Sequence, residues 1–333
     1  MLKRTEKNSS GQKKRQDAVV FLCLAALVLT IIYINIRGLV TSYVDSFILQ
    51  GSDRSEAVAN LKGLDADPSQ ALVAARANWD NWRYSRLRDE VTVSAADGVS
   101  LHGYYYDEGS DTVAIFVPRY SQDGTADFLL APWLNEETAC SVLVIDPRTC
   151  GASGGNGFSY GFLESADLSV WVDWAEETLG SRRFIVCGEG AGANTVLFAA
   201  SSGLLEGREV LAVAESPFGS FREQAAYTLK ESYQLPAVPF LSMMERKANR
   251  AEILFDCADM ELSAALTGSS ARVPVLFLSS SGDTYIPAEM TRAAYEAYPG
   301  EKILVSGSGA HGTVTAEESA AICETLTRWL AGE

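Results

Sequence analysis

Few side chains in this sequence are suited to acid–base or nucleophilic chemistry, and the two best placed lie in its last fifth. Asp283 follows a buried apolar run and opens a turn, and His311 lies in a glycine-rich loop. A histidine beside a carboxylate can act as a general base toward a hydroxyl group or a water molecule. On spacing alone, Asp283 is more simply a turn-forming residue and His311 a surface histidine. The context of the two residues therefore has to decide their role.

A glycine-rich stretch at residues 188–192 follows an apolar run and precedes a run of small residues. Gly188, Gly190 and Ala193 fit the G-x-G-x-x-G/A pattern, in which a glycine turn and a helix N-terminus hold the pyrophosphate of a dinucleotide. Glu215 ends the next strand, where a ribose-binding acid would lie, but it is 27 residues beyond Gly188 rather than the usual ~20. Several strands also precede this motif. Dinucleotide binding is therefore kept as the alternative from another functional class.

Taken together, the motifs make this chain resemble the α/β-hydrolases, over about residues 88–330. The matching segments are residues 97–105 (the strand pair that opens membrane-anchored bacterial members), 146–154 (the D-x-R-G-x-G-x-S loop), 185–192 (the nucleophile elbow), 280–287 (the acid loop) and 307–312 (the histidine loop). Their order, elbow then acid then histidine, is that of the family. The resemblance implies that Asp283 and His311 are the acid and the histidine of a catalytic triad.

The sequence departs from the family pattern at the nucleophile. The elbow motif G-x-S-x-G reads Gly-Glu-Gly-Ala-Gly here, so the nucleophile position is Gly190. Glycine has no side chain that could form an acyl-enzyme, so covalent serine catalysis is excluded at this position. Glycine does keep the turn, because it adopts strained backbone angles without cost. Thr149 and Cys150 also replace the usual glycine and histidine of the loop after Asp146.

A second departure concerns the oxyanion hole. Pro118 and Arg119 follow the strand at 112–117, where the family usually has His-Gly. The resemblance implies that the backbone N–H groups of Ala191 and Tyr120 point into the pocket. Arg119 places a long cation there, and a pocket cation beside the Glu189 carboxylate should pair with it. We therefore predict an Arg119–Glu189 ion pair that plugs the oxyanion region.

The hydrophobic pattern predicts the elements that position these residues. Apolar, β-branched runs predict strands at residues 90–95, 100–106, 112–117, 141–145, 183–187, 210–214, 273–278 and 302–305. Helical patterns predict helices at residues 126–134, 163–179, 191–201 and 316–330. Alternating strands and helices indicate an α/β fold, a mostly parallel sheet flanked by helices. The alternation breaks at about residues 218–268, which predicts an inserted helical cap.

The amino-acid composition argues against several classes of function. The 333 residues are 47% hydrophobic and carry a net charge of −16, values of a globular chain with a sizeable core. A polyanion repels phosphate backbones, which argues against nucleic-acid binding. With only two histidines and no closely spaced cysteines, the sequence implies no metal site and no cofactor.

An N-terminal segment predicts attachment to a membrane. Residues 18–36 carry no charge and are just long enough for a ~30 Å hydrocarbon core. A cleaved signal peptide is the main rival, but its apolar run would be ~7–15 residues and would end in a small-x-small site. The first 17 residues have a net charge of +4, which should keep them cytoplasmic and place the main domain outside. We thus expect a basic tail (1–17), a signal anchor (18–38), a helical connecting segment (39–88) and a hydrolase domain (89–333).

The sequence therefore predicts a membrane-anchored α/β-hydrolase-family protein that is catalytically impaired because Gly190 replaces the nucleophile. Such a pseudoenzyme would bind a small molecule or a protein whose identity the sequence does not give. The alternative within the same fold is an active carboxylic-ester or peptide-type hydrolase that uses His311 and Asp283.

Overall fold

The computed structural model describes residues 2–45, 48, 69–120, 122–250 and 255–332. Most of the helix-prone stretch expected in the connecting segment, including residues 55–61, lies outside them. The strands are β1 (Asp89–Ser94), β2 (Ser100–Tyr106), β3 (Thr112–Val117), β4 (Ser141–Ile145), β5 (Arg183–Glu189), β6 (Glu209–Glu215), β7 (Val275–Ser280) and β8 (Lys302–Gly307). The helices are α1 (Leu2–Val44), α2 (Gln70–Tyr84), α3 (Ala131–Thr138), α4 (Phe162–Leu179), α5 (Ala191–Ser201), α6 (Phe221–Glu231), α7 (Ala237–Ala248), α8 (Leu262–Thr267), α9 (Ala288–Ala297), α10 (Val314–Glu317) and α11 (Ser319–Leu330).

The described strands form one eight-stranded sheet in the order β1-β2-β4-β3-β5-β6-β7-β8. β2 runs antiparallel to both of its neighbours, β1 and β4, and every pair from β4 to β8 is parallel. β3, β4 and β7 are buried along their whole length, because helices cover both faces of a parallel sheet. The predicted fold class, a mostly parallel sheet flanked by helices, is confirmed.

Two apolar layers hold the helices on the sheet. On one face, Leu168, Trp171 and Val172 of α4 pack with Val196 of α5. On the other face, the core is built from α2, α3 and α11, with Leu134 among its fully buried side chains. The helix predicted at residues 163–179 corresponds to α4, and Leu168, Trp171 and Val172 lie on its buried face. Because the strands from β4 to β8 in the sheet run parallel to one another, their carboxyl ends lie at the same edge of the sheet. The loops that follow these strands can meet at that edge.

The helix predicted over residues 126–134 is shifted in the structure. Helix α3 begins at Ala131, with Pro132 in its first turn. Proline lacks an N–H donor and is tolerated at the start of a helix but not inside it. The preceding residues form a turn in which the side chain of Asp123 accepts from the backbone N–H of Thr125 at 2.8 Å.

Helix α1 combines an exposed apolar stretch with a buried end. Its residues 15–44 are long and apolar enough to cross a membrane, and Phe21, Leu22 and Leu29 are 71%, 65% and 65% exposed. At the other end, Val40, Tyr43 and Val44 are buried. They pack with Leu229 of α6 and with Phe240, Leu241 and Met244 of α7, in the inserted segment between β6 and β7. The apolar helix thus ends inside the globular body.

Helix α2, within the expected connecting segment, packs directly on the domain. Trp79 and Trp82 are 0% and 3% exposed, and their rings stack at a centroid distance of 5.5 Å. Trp82 Nε1 donates to Asn135 Oδ1 of α3 at 3.0 Å. The hydrolase domain therefore uses residues upstream of β1 to complete its core.

Substitution of Trp79 tests this packing. We expect Trp79→Ala to lower the free energy of unfolding by about 3–5 kcal/mol, because a fully buried indole leaves a large cavity. The matched control is Tyr84→Ala on the same helix, since Tyr84 is 78% exposed and its loss should cost less than about 0.5 kcal/mol. Denaturant unfolding of the detergent-solubilised chain measures both values. Equal values for the two variants would contradict the structural role of α2.

Candidate active site

The site is built around the sharp turn between β5 and α5. Gly190 lies at this turn with φ 56° and ψ −114°, angles that L-residues adopt only under strain. A Cβ atom at Gly190 would still find ordinary contacts, 3.6 Å from Arg119 Cβ and from Ile286 Cδ1. The elbow therefore has the shape and the space for a nucleophile, but it carries no side chain.

The glycines on either side of Gly190 are required by close backbone contacts. A Cβ at Gly188 would lie 2.2 Å from the carbonyl oxygen of Gly192, and one at Gly192 would lie 2.2 Å from that of Val117. Neither distance is possible for real atoms. Because glycine allows these close contacts, the first turn of α5 lies directly against the end of β3. The elbow is thereby held beside the loop that carries Arg119.

Asp283 and His311 form a buried pair. The Asp283 side chain is fully buried and the His311 side chain is 2% exposed, with His311 Nδ1 2.7 Å from Asp283 Oδ2. Asp283 Oδ1 accepts from the backbone N–H groups of Tyr285 and Ile286 at 2.9 and 2.7 Å. Ser216 Oγ donates to Oδ2 at 3.1 Å. These donors orient the carboxylate, which in turn holds the imidazole so that its Nε2 points away from it.

The Arg119–Glu189 ion pair expected from the sequence is formed. Arg119 Nη1 donates to Glu189 Oε1 at 2.8 Å, and the two side chains are 25% and 21% exposed. With its amide oxygen turned toward the guanidinium, Gln122 also accepts from Arg119 Nη2 and Nε at 2.9 and 3.1 Å. The same Glu189 Oε1 atom lies 3.6 Å from His311 Nε2. The carboxylate therefore faces the nitrogen that a serine hydroxyl would use in a triad.

Four charged or ionisable groups thus form one chain: Arg119, Glu189, His311 and Asp283. Burial favours the neutral imidazole, but the charges of Asp283 and Glu189 outweigh it and raise the pKa of His311. Burial likewise opposes ionisation of Glu189, yet the nearby Arg119 and His311 lower its pKa. The neighbouring charges therefore favour the protonated form of His311 and the ionised form of Glu189.

The resemblance implies that the backbone N–H groups of Ala191 and Tyr120 are the oxyanion donors, and both residues lie beside these four ionisable groups. Ala191 is the first residue of α5, and the first N–H groups of a helix have no intrahelical acceptor. Tyr120 directly follows Arg119, and its ring stacks on Tyr160 at a centroid distance of 5.5 Å. Both residues are buried in the cluster that also contains the end of α1. The apolar helix therefore contributes to the same core as the elbow.

Glu215, considered above as a ribose-binding acid of a dinucleotide site, is a further ionisable residue of the candidate active site. It pairs in register with Glu189 across β5 and β6 and is 7% exposed. Its Oε2 accepts from Thr315 Oγ1, whereas Oε1 has no hydrogen-bond partner among the described residues. Burial, with the charge of Glu189 as the next cause, raises the pKa of Glu215 to about 7. A buried carboxyl held by a threonine is poorly placed to bind a ribose.

A small cavity of about 60 Å³ lies beneath the site and is lined by Glu189, Glu215, His311 and Thr315, among others. Its size suits a few water molecules. Among the described residues, no group of three or more His, Cys, Asp or Glu side chains is arranged to hold a metal ion.

The second histidine is also paired, but its partners give it a structural role. His102 Nδ1 lies 2.8 Å from Asp146 Oδ2. Asp146 also accepts from the backbone N–H groups of Gly124 and Ala152 at 2.6 and 2.8 Å. Ser153 Oγ donates to the Asp146 carbonyl at 2.7 Å. These bonds fasten the loop after β4 to β2, away from the elbow.

The raised pKa of Glu215 predicts a specific pH dependence of stability. The pKa of Glu215 is higher in the folded state than in the unfolded state, so the protonated carboxyl stabilises the fold. This stabilisation is fully present below the unfolded-state pKa and is lost as the pH rises through about 7. Glu215→Gln keeps an acceptor for Thr315 without a charge. We expect the variant to gain roughly 1–3 kcal/mol relative to wild type between pH 5 and pH 8.

Denaturant unfolding at a series of pH values measures this effect, and Glu206→Gln, which removes a carboxylate from an exposed position, is the control. The raised pKa of His311 acts in the same direction, so part of the pH dependence should persist in both variants. A pH profile for Glu215→Gln that parallels that of wild type would contradict the assignment.

Comparison with known proteins agrees with this architecture. No protein-family model matches the chain. The uncharacterized protein YqkD of Bacillus subtilis (strain 168) is 30% identical over 226 residues, which are 66% of this chain and 71% of YqkD. The structure of the Pyrococcus furiosus esterase Pf2001 superposes with a TM-score of 0.60 and 25% identity, covering 76% of this chain and 95% of the esterase.

A further similar structure is that of acetyl xylan esterase 1 from Thermoanaerobacterium sp. JW/SL YS485. Its TM-score is 0.50 at 18% identity, over 80% of this chain and 96% of that enzyme. At this identity the similarity concerns the fold alone. The strand order, the elbow and these relatives agree, and the chain belongs to the α/β-hydrolase superfamily and, within it, to the family that includes YqkD.

Proposed function

We propose that this protein is a membrane-anchored, catalytically impaired member of the α/β-hydrolase superfamily, whose site binds a ligand or a protein partner and does not perform covalent serine catalysis. One observation carries the proposal. The elbow bears Gly190, while the carboxylate of Glu189 lies 3.6 Å from the Nε2 atom of His311, beside the position of the missing hydroxyl.

The charges of the site support this proposal. Acyl transfer requires a nucleophile that passes its proton to a neutral histidine. Here His311 lies between two carboxylates that raise its pKa, so a smaller fraction of the imidazole is neutral and free to take up a proton from a nucleophile. The side chain of Arg119 lies next to the elbow, since its Cβ atom is 3.6 Å from the position of a Cβ at Gly190 and its Nη1 atom donates to Glu189 Oε1 at 2.8 Å. The pocket is therefore suited to holding charges, not to receiving an acyl group.

A second candidate is hydrolysis of carboxylic esters or peptides by a water molecule. His311 Nε2 has no hydrogen-bond partner among the described residues, and the Asp283–His311 pair is intact at 2.7 Å. A water beside Nε2 could give its proton to His311 and attack a carbonyl carbon directly. Two proteins of similar structure, Pf2001 and acetyl xylan esterase 1, are esterases, which favours this substrate class, but a lone dyad would act slowly without a nucleophile.

The anchor supports a location at the cell membrane. We propose that α1 is a single-pass signal anchor, because its apolar residues are exposed on an isolated helix. The basic tail of residues 1–17 would stay in the cytoplasm, and the globular domain would lie outside.

Protease protection tests this orientation. When the membrane is intact and the outer layers of the cell are permeabilised, added protease should degrade the domain and leave the tail protected. An epitope at residue 1 and another at residue 333 distinguish the two ends. Protection of the C-terminal epitope would contradict the proposed orientation.

Rebuilding the nucleophile tests the proposed loss of catalysis. We expect wild type and His311→Ala to hydrolyse short p-nitrophenyl esters at the same background rate. The rebuilt variant combines Gly190→Ser with Arg119→Met and Glu189→Gln, which removes both charges together and leaves neither buried alone. The new hydroxyl should then lie within reach of His311 and raise the rate by roughly 100-fold or more, a part of the loss caused by a missing triad member.

The matched control carries Gly190→Ala on the same background, with the same backbone strain but no hydroxyl. Equal rates for the serine and alanine variants, both folded by circular dichroism, would show that Asp283 and His311 are not poised as a triad. A wild-type rate at least about tenfold above that of His311→Ala would instead refute the pseudoenzyme and favour water activation.

A further inference from the structure

A basic cleft lies where α1 packs against the cap. It has a volume of about 620 Å³, and its lining includes Arg37 of α1 together with Arg246, Lys247 and Arg250 in and just after α7. The chain as a whole has a net charge of −16, whereas the four cationic side chains around this cleft make its surroundings locally positive. Such a cleft attracts anions.

Most of this positive charge is not compensated by the residues that the structure describes. Lys247 Nζ forms an ion pair with Asp45, and the neighbouring Glu245 pairs with Arg222 instead. Arg37, Arg246 and Arg250 are exposed, and none of them makes an ion pair with another described residue. Three guanidinium groups therefore remain available, and the planar guanidinium is suited to bidentate binding of phosphate oxygens.

The cleft lies at the end of the charge-free stretch of α1. Residues 18–36 carry no charge and match the thickness of a bilayer core, so Arg37 is the first charged residue beyond it. The next turns of α1 pack on α7, where Val40 and Met244 share one cluster. The cations of the cap therefore lie close to the level of the lipid headgroups. Val40 and Met243 line the same cleft and give it an apolar side that an acyl chain can contact.

We infer that this cleft binds the phosphate headgroup of an anionic membrane lipid. The inference rests on the membrane anchoring proposed above. Basic residues close to an anionic bilayer surface favour its lipids, and Arg37 of α1, Arg246 of α7 and Arg250 just after α7 line one cleft. A headgroup bound there would hold α7 against the bilayer. Because α7 shares its core with Ala191 of the elbow, the lipid would also fix the cap over the candidate active site.

Lipid selectivity of the full-length protein tests the inference. The protein is reconstituted in phosphatidylcholine vesicles with trace spin-labelled lipids, and electron paramagnetic resonance measures the fraction of each lipid immobilised by the protein. We expect wild type to prefer phosphatidylglycerol over phosphatidylcholine by about threefold or more. Arg37→Gln, Arg246→Gln and Arg250→Gln together should abolish the preference. The control triple variant, Arg182→Gln, Arg272→Gln and Arg292→Gln, removes the same charge from exposed positions outside the cleft and should keep it.

Each outcome decides a different point. Equal immobilisation of the two lipids by wild type, or equal loss of preference in both triple variants, would overturn the cleft as a lipid site. A preference that excess inorganic phosphate abolishes at constant ionic strength would overturn the membrane lipid as the source of the phosphate. Failure of the wild-type protein to incorporate into any vesicle would refute the anchor itself, and that result is distinct from incorporation without lipid preference.

Discussion

The contact between two stretches of backbone at the elbow is the constraint on which the site depends. The carbonyl oxygens of Gly192 and Val117 would lie 2.2 Å from a Cβ at Gly188 and at Gly192, respectively. Only glycine allows this approach, and the approach joins the N-terminus of α5 to the end of β3. Because β3, β5, β6 and β7 are parallel neighbours, the groups that follow them are brought to the same small volume. The elbow geometry is present although the residue at its apex, Gly190, has no side chain.

Within that volume, four ionisable groups lie in contact with one another. The contacts run from Arg119 through Glu189 and His311 to Asp283, with distances of 2.8, 3.6 and 2.7 Å. In a serine hydrolase, a hydroxyl group would face the imidazole at the position where the carboxylate of Glu189 faces it here. This carboxylate is paired with Arg119, so the ion pair lies directly beside the glycine at 190.

The end of the apolar helix α1 and residues of the candidate active site pack in the same hydrophobic cluster. The end of α1 is buried with α6, α7, Tyr120 and Ala191 in one hydrophobic cluster, and Phe158 donates its backbone N–H to the carbonyl of Ile48 at 2.8 Å. The position of α1 and the position of the elbow are therefore set by packing in the same core.

The amino-acid sequence by itself determined the features that depend on near neighbours along the chain. Apolar runs marked the strands, the spacing of Leu168, Trp171 and Val172 marked the buried face of α4, and the charge-free stretch of α1 marked a possible span. The resemblance to a family supplied Asp283 and His311 as partners. Helix α3 was misplaced because the effect of Pro132 on a helix start competed with an apolar pattern.

The Arg119–Glu189 ion pair was predicted because the resemblance to a family placed both residues at the elbow. Only the tertiary structure decided which other groups meet there: Glu189 Oε1 lies 3.6 Å from His311 Nε2, and Glu215 contacts Thr315, 100 residues away. These contacts follow from strand order and register. The burial that raises the pKa of Glu215 to about 7 and the packing of Trp79 against the sheet likewise have no local signal. Local preference sets which element a residue joins, whereas burial and partner depend on how distant elements pack together.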